Sequence, residues 1–246
     1  MNVLSRFLSF YRRKQAGFFV LIDPEKIAGN LSFLRMCEEN GVDGFLVGGS
    51  YKHRRVNFDQ AVRKIKKEVR QPVIIFPGSA FQISKFADAI LYLSLVSGRN
   101  PEYLIGEQVH GAERVKKAKL ETIPVGYILL GSGNASSIRK LSQTLPIPFS
   151  QVKSVKRHAL AAQFLGMRLI YLEAGSGAKI SVPERIIRQV RSVVEIPLIV
   201  GGGIQSPQEA YRKVQAGANF VVIGNRLEYC REKELIRDFA EAIHLS

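Results

Sequence analysis

Short runs of apolar and β-branched residues punctuate the chain at intervals: Phe18–Ile22, Gly44–Val47, Val73–Phe76, Ala89–Leu95, Val125–Leu130, Leu169–Leu172, Leu198–Val200 and Phe220–Ile223. Continuous rather than alternating hydrophobicity marks strands covered on both faces. Between most of these runs the period lengthens to that of a helix, as at Leu31 to Asn40, Gln60 to Val69, Pro183 to Val194 and Pro207 to Ala216. Short strands alternating with helices predict a parallel sheet with crossover helices, and eight of them predict an α/β fold of the (β/α)8 TIM-barrel type. An open doubly wound sheet is the competitor, but no GxGxxG follows the first strand. With no linker or low-complexity tract, residues 1–246 read as one domain. Ahead of the first strand, Val3, Leu4, Phe7, Leu8, Phe10 and Tyr11 recur at helical spacing among Arg6, Arg12, Arg13 and Lys14. This predicts a short helix, either capping the body of the fold or lying as a basic amphipathic helix on a membrane surface. A signal peptide would carry its charges before an uninterrupted apolar run, and this segment does not.

Composition adds limits. Hydrophobic residues make up 46% and charged residues 23%, which suits a globular protein with a sizeable core and excludes a disordered tail protein. No apolar window is long enough to span a membrane. Cys37 and Cys230 are far apart and match no His spacing, which argues against a disulfide framework or zinc site and for a cytoplasmic location. The formal charge of +15 implies anionic partners: phosphorylated substrates, nucleic acid or acidic lipid. The clusters Arg63-Lys64-Lys66-Lys67 and Arg114-Lys116-Lys117-Lys119 read as solvated helix faces, and Lys52-His53-Arg54-Arg55 reads equally as such a face or as a contact for a diphosphate at the rim. His53, His110, His158 and His244 show no ligand or dyad spacing and are expected on the surface.

In a barrel the chemistry gathers where the strands end. The ends here are Asp23-Pro24-Glu25-Lys26, Gly48-Gly49-Ser50, Phe76-Pro77-Gly78-Ser79, Ser97 to Pro101, Gly131-Ser132-Gly133, Tyr171 to Gly177, Gly201-Gly202-Gly203 and Gly224-Asn225. Glycines after strands 7 and 8 form the usual phosphate cradle of barrel enzymes, with Ser206-Pro207 placed as cap and first residue of the next helix. Tight turns alone would also explain a single glycine. Asp23 ends an apolar strand, where a carboxylate needs a partner. With the Ser50 hydroxyl and a substrate phosphate it could hold Mg²⁺, or it could cap a helix beginning at Pro24. Glu173 is a second carboxylate on strand 6, placed to orient or deprotonate a substrate hydroxyl.

These strand ends resemble the geranylgeranylglyceryl phosphate synthase family. The resemblance rests on Asp23-Pro24-Glu25-Lys26, Gly48-Gly49-Ser50, the run Leu93 to Pro101, Tyr171-Leu172-Glu173-Ala174-Gly175-Ser176-Gly177-Ala178, Val200 to Ile204 and Ile223-Gly224-Asn225, and spans about residues 17 to 229. The Tyr-Leu-Glu-Ala-Gly-Ser-Gly-Ala run is the specific part, and it is closer to the archaeal-type branch than to the heptaprenyl branch. The resemblance implies a TIM barrel joining the C3 hydroxyl of sn-glycerol 1-phosphate to a polyprenyl diphosphate, with geranylgeranyl as the expected chain, through an ether bond. It implies Mg²⁺ as cofactor at Asp23 and Ser50. The substrate phosphate and glycerol would be held by Tyr171, Leu172, Glu173, Ala174, Gly175, Ser176, Gly177, Gly202, Gly203, Gly224 and Asn225. Glu173 and Tyr171 are the expected catalytic pair, Glu173 orienting the hydroxyl and Tyr171 closing the pocket. Family members are generally homo-oligomers. The chain departs from the pattern at Leu130-Gly131-Ser132-Gly133-Asn134, where the family carries an acidic residue.

Two other readings keep the barrel. One is a phosphate-binding barrel enzyme of the indole, imidazole or thiamine type, which would place a catalytic Lys, Asp or Cys on other strand ends. The other is a non-catalytic basic binding protein, which would interleave aromatics with its Lys/Arg clusters to hold nucleic acid. These clusters carry few aromatics, so no nucleic-acid partner is expected. For a lipid enzyme, the basic surface and N-terminal helix could give peripheral contact with membrane lipid.

Overall fold

The computed structural model describes residues 2–27, 31–49, 57–131, 142–229 and 232–245. Eight parallel strands close into a barrel in chain order: β1 (Gly17–Ile22), β2 (Gly44–Gly48), β3 (Val73–Phe76), β4 (Ala89–Leu95), β5 (Glu121–Leu129), β6 (Leu169–Glu173), β7 (Leu198–Gly201) and β8 (Phe220–Ile223). β8 returns to β1, with Phe220 opposite Gly17. Every strand lies where the apolar runs predict it; β5 begins four residues earlier than expected. Its opening residues Glu121 and Thr122 are polar and pair with Ala89 and Ile90 of β4. Backbone pairing, not hydrophobicity, therefore sets that end.

Helices follow most strands: α2 (Pro24–Ile27) and α3 (Ser32–Glu39) after β1, α4 (Phe58–Glu68) after β2, and a π-helical turn (Glu102–Gly106) leading into α5 (Glu107–Ala118) after β4. Further on come α6 (Val152–Phe164), α7 (Glu184–Arg191), α8 (Pro207–Gln215), α9 (Asn225–Tyr229) and α10 (Lys233–His244). Ser206 caps α8 by accepting from Glu209 N at 3.2 Å, with Pro207 at its first position. The strand–helix alternation lapses once: residues 77–88 between β3 and β4 form turns and no helix. There the outer face of the sheet is covered instead by Ile83 and by Val115 of α5, which pack with Ile75 and Ile90.

Strand alternation sorts the side chains into two cores. Phe18, Val20, Leu172 and Val200 face outward and pack with the helices. Phe19, Leu46, Ile74, Leu91, Val125, Tyr171 and Phe220 face inward. The N-terminal helix α1 (Val3–Arg12) closes the lower mouth of this interior. Phe7 is 2% exposed, stacks on Phe19 at 5.3 Å and meets Phe220 edge-on at 4.5 Å. Glu121 accepts from the N–H groups of Val3 and Leu4 at 2.7 and 2.8 Å, placing a carboxylate at the positive end of the helix. The helix is thus a cap. Val3 and Phe7 are buried in the barrel core, with Leu4 and Phe10 packed against it.

The basic runs are largely exposed, as expected: Arg63, Lys64 and Lys67 on α4 and Arg114, Lys116 and Lys117 on α5, with Arg63 over the Phe86 ring and Arg114 over the Phe81 ring; Lys66 departs, being half-buried and donating to Asp88 Oδ2 at 2.6 Å. Lys52 to Arg55 lie outside the described residues. No helix among the described residues is long and apolar enough to cross a membrane.

Candidate active site

A cavity of about 440 Å³ opens at the C-terminal rim of the barrel. Its lining divides by chemistry. On one side are the ends of β6, β7, β8 and β1, contributing Glu173, Ser176, Gly177, Gly202, Gly203, Gly224, Asn225 and Asp23. On the other, Ile83, Ile90, Tyr92, Leu93, Tyr103 and Val115 form an apolar branch under α5. This branch exists because no helix follows β3, which leaves room between the strands and α5.

The polar side is knit from three loops. Asn225 Nδ2 donates to Ser176 Oγ at 3.2 Å, joining the turn after β6 to that after β8. Gly203 has φ +74°, and a Cβ there would lie 2.8 Å from the Ala178 carbonyl oxygen. Gly202 is stricter: φ is +81° and a Cβ would lie 2.2 Å from Glu173 Oε1. Only glycine combines this backbone conformation with this approach, and bare backbone N–H groups are what an oxyanion needs.

Glu173, the last residue of β6, is 5% exposed. Its Oε1 accepts from Gly175 N at 2.6 Å, and Tyr171 Oη donates to the carboxylate. Burial lifts its pKa from 4.5 to about 7, against the lowering effect of those two hydrogen bonds. Glu173 is therefore poised to exchange a proton near neutrality. Tyr171 lies fully inside, its hydroxyl pushed well above its usual pKa by burial and by the Glu173 charge. Its ring packs with Phe76 at 5.4 Å and Tyr127 at 5.2 Å. These three rings form a floor where the polar and apolar sides meet. Tyr171 thus lies beneath Glu173 in the barrel interior and closes the cavity from its inner end.

The expected run Tyr171 to Gly177 divides. Tyr171, Glu173, Ser176 and Gly177 line the cavity. Leu172 and Ala174 turn outward into the core between sheet and helices, because alternate residues of a strand face opposite ways. Gly175 serves through its N–H to Glu173.

Asp23 reaches the cavity from the end of β1. Its Oδ1 accepts from Glu25 N at 3.0 Å, so it does cap α2. Its other oxygen lies 3.8 Å from Lys26 Nζ. A hard oxygen donor beside an anion cradle fits Mg²⁺, which needs few protein ligands. Among the described residues no group of three His, Cys, Asp or Glu forms a denser metal site. Ser50, the other expected ligand, lies outside the described residues, as do residues 132–134 of the departing loop after β5.

Several cavity residues gave no clear signal in the sequence. Glu228 on α9 accepts from Asp23 N at 2.9 Å and from Lys26 Nζ at 2.8 Å. Lys26 also donates to Asn225 Oδ1 at 3.2 Å. Tyr127 lies mid-strand, and Gln108 lies within α5; both face the cavity. Counting inward-facing positions back from the end of β5 would have found Tyr127.

Comparison with known proteins agrees with this geometry. The sequence profile of the PcrB family matches residues 10–243. The chain is 45% identical over 234 residues to "Geranylgeranylglyceryl phosphate synthase" of Pyrococcus horikoshii, covering 94% of this chain and 91% of that protein. It is 42% identical over 241 residues to the protein of the same name from Chitinophaga pinensis, covering 96% and 94%. Its fold matches the crystal structure of (S)-3-O-geranylgeranylglyceryl phosphate synthase from Thermoplasma acidophilum in complex with sn-glycerol-1-phosphate. The TM-score is 0.92 at 36% identity, with both chains fully covered. A buried carboxylate beside a glycine cradle, joined to an apolar branch, thus accompanies likeness along nearly the whole chain, which belongs to the PcrB family.

Proposed function

We propose that this chain is a prenyltransferase that joins the C3 hydroxyl of sn-glycerol 1-phosphate to the C1 carbon of a polyprenyl diphosphate, geranylgeranyl diphosphate in particular. The observation that carries the reading is the single cavity that is a glycine cradle with a buried carboxylate at one side and an apolar branch at the other. One substrate of this reaction is small and phosphorylated, the other long and apolar with a charged head.

The glycerol phosphate binds with its phosphate against the N–H groups around Gly202, Gly203 and Gly224 and against Ser176 and Asn225. Its C3 hydroxyl faces Glu173. The prenyl chain lies in the apolar branch beneath α5, its reactive end over the floor formed by Phe76, Tyr127 and Tyr171. A C–O bond forms between the glycerol oxygen and the allylic carbon as the bond from that carbon to diphosphate breaks. Glu173 accepts the hydroxyl proton, and diphosphate leaves with the electron pair of the broken bond. Asp23, with Ser50, would hold Mg²⁺, which offsets the charge gathering on the leaving diphosphate. Lys26, held by Glu228 and Asn225, adds a cation at the same rim.

The test is a product assay with Mg²⁺, each stereoisomer of glycerol phosphate and prenyl diphosphates of several lengths, on the wild type and on Asp23→Asn. Ether formed from the sn-1 isomer, dependent on Mg²⁺ and lost in the variant, is the expected result. A protein that binds glycerol phosphate but forms no ether with any donor would overturn the reading.

A further inference from the structure

Among the described residues, two buried side-chain polar atoms have no hydrogen-bond partner, Tyr127 Oη and Gln108 Oε1. Both residues line the cavity. An orphaned buried hydroxyl is destabilising and rare, and on a cavity wall it marks where a ligand completes the network.

Tyr127 is 4% exposed and stands on β5 directly opposite Tyr171 on β6, so both rings project into the barrel at one level. Burial above all, and then the charges of Glu173 and Tyr171, hold its hydroxyl well above its usual pKa. It is therefore un-ionised at any working pH. Yet it makes no bond to Glu173. That carboxylate takes its donors from Gly175 N and Tyr171 Oη, and Tyr127 Oη, on the same cavity lining, is left without a partner.

A ligand group that satisfies Tyr127 must accept from its hydroxyl, and beside Glu173 it is best placed if it also donates to the carboxylate. A phosphate oxygen would be repelled by the carboxylate, and a hydrocarbon would leave the Tyr127 hydroxyl unsatisfied. An alcohol does both at one oxygen. We infer that Tyr127 is a substrate-contacting residue, its Oη–H donating to the acceptor alcohol's oxygen while that alcohol's own proton points at Glu173. The identity of the alcohol as the hydroxyl of glycerol phosphate rests on the prenyl-transfer reading above. The orienting contact itself requires only an alcohol bound beside Glu173.

Tyr127→Phe keeps the ring on the floor and removes the hydroxyl. Titration calorimetry should show sn-glycerol 1-phosphate bound about fivefold to tenfold more weakly, the worth of one hydrogen bond. Inorganic phosphate, which carries no alcohol, should bind the variant as it binds the wild type. In steady-state assays the acceptor KM rises by the same factor, while the donor KM and kcat stay within about threefold. The melting temperature without ligand should equal or exceed that of the wild type, because an unsatisfied buried hydroxyl has been removed. The shift produced by glycerol phosphate should shrink. A tyrosine with only a structural role would instead lower the ligand-free melting temperature and leave acceptor affinity intact, and that result overturns the inference. Unchanged binding of both ligands overturns it as well. Should the wild type form no ether while Tyr127→Phe still loses affinity for the alcohol selectively, the contact stands and the assigned reaction falls.

Discussion

The two sides of the cavity are built by different means. The β6–β8 side is made of backbone: glycines at positive φ, loops tied by Asn225 to Ser176, and one buried carboxylate set by strand register. The β3–β4 side is made of side chains, and it owes its space to the helix that does not follow β3. Backbone donors suit a head group of fixed shape and charge, since little can be changed there without a clash. An apolar branch lined by Ile83, Ile90 and Val115 is tolerant, because one hydrocarbon packs there much as another does. Head-group selection should therefore be stringent, and chain-length selection adjustable.

The largest effect is expected at Glu173. Glu173→Gln keeps the shape and removes the base, and kcat should fall at least about a hundredfold, with glycerol phosphate binding largely retained. In the wild type, kcat/KM should rise with pH through about 7 as Glu173 loses its proton. The same group bears on stability. Its folded pKa of about 7 lies above the unfolded 4.5. Its ionisation therefore costs nothing below about pH 4.5, costs progressively more between the two values, and its full cost of about 3 kcal/mol is present above pH 7. Glu173→Gln should then melt higher than the wild type at pH 8, and the advantage should vanish at pH 4. Thermal melts at the two pH values check this.

Next comes Gly202→Ala. The added Cβ would lie 2.2 Å from Glu173 Oε1, on a residue held at φ +81°, so affinity for glycerol phosphate should drop on the order of tenfold or more, with about 1–3 kcal/mol of lost stability. Calorimetry and a denaturant melt measure both.

Smaller, and confined to the other side, is Gly111→Leu on α5. A side chain there runs toward Ile83, whose Cδ1 would lie 3.3 Å from the new Cβ. The prenyl donor KM should rise a few-fold and the preferred donor shorten, with glycerol phosphate affinity untouched. A change in acceptor affinity in this variant would show that the two sides are coupled, and would break the comparison.

The sequence carried the cradle side well. Apolar runs placed all eight strands, and the glycines expected after the seventh and eighth line the cavity. Asp23 and Glu173 stood out as carboxylates at the ends of apolar strands. All of these are local signals: hydrophobic period and turn chemistry act within a few residues. Ser206-Pro207 was legible for the same reason. The N-terminal segment was legible as a helix but not in its placement, because the pattern of Val3, Phe7 and Phe10 serves a membrane surface as well as a barrel mouth. The aromatic rings of Phe19 and Phe220 decided that.

The apolar side was scarcely legible at all. Ile83, Tyr92, Gly111 and Val115 carry no mark of a ligand channel, and they meet only because closure of the barrel sets α5 over β3 and β4. Glu228, about two hundred residues from Asp23 along the chain, could be matched to it only in three dimensions. The sequence by itself determined the barrel, its strand order and the glycine-rich rim, since periodicity and glycine act locally. The tertiary structure alone decided which way each strand's residues face, setting Leu172 and Ala174 outward and Tyr127 inward. It also decided how much room is left beneath α5, because burial and cavity shape are properties of packing between elements distant in the chain.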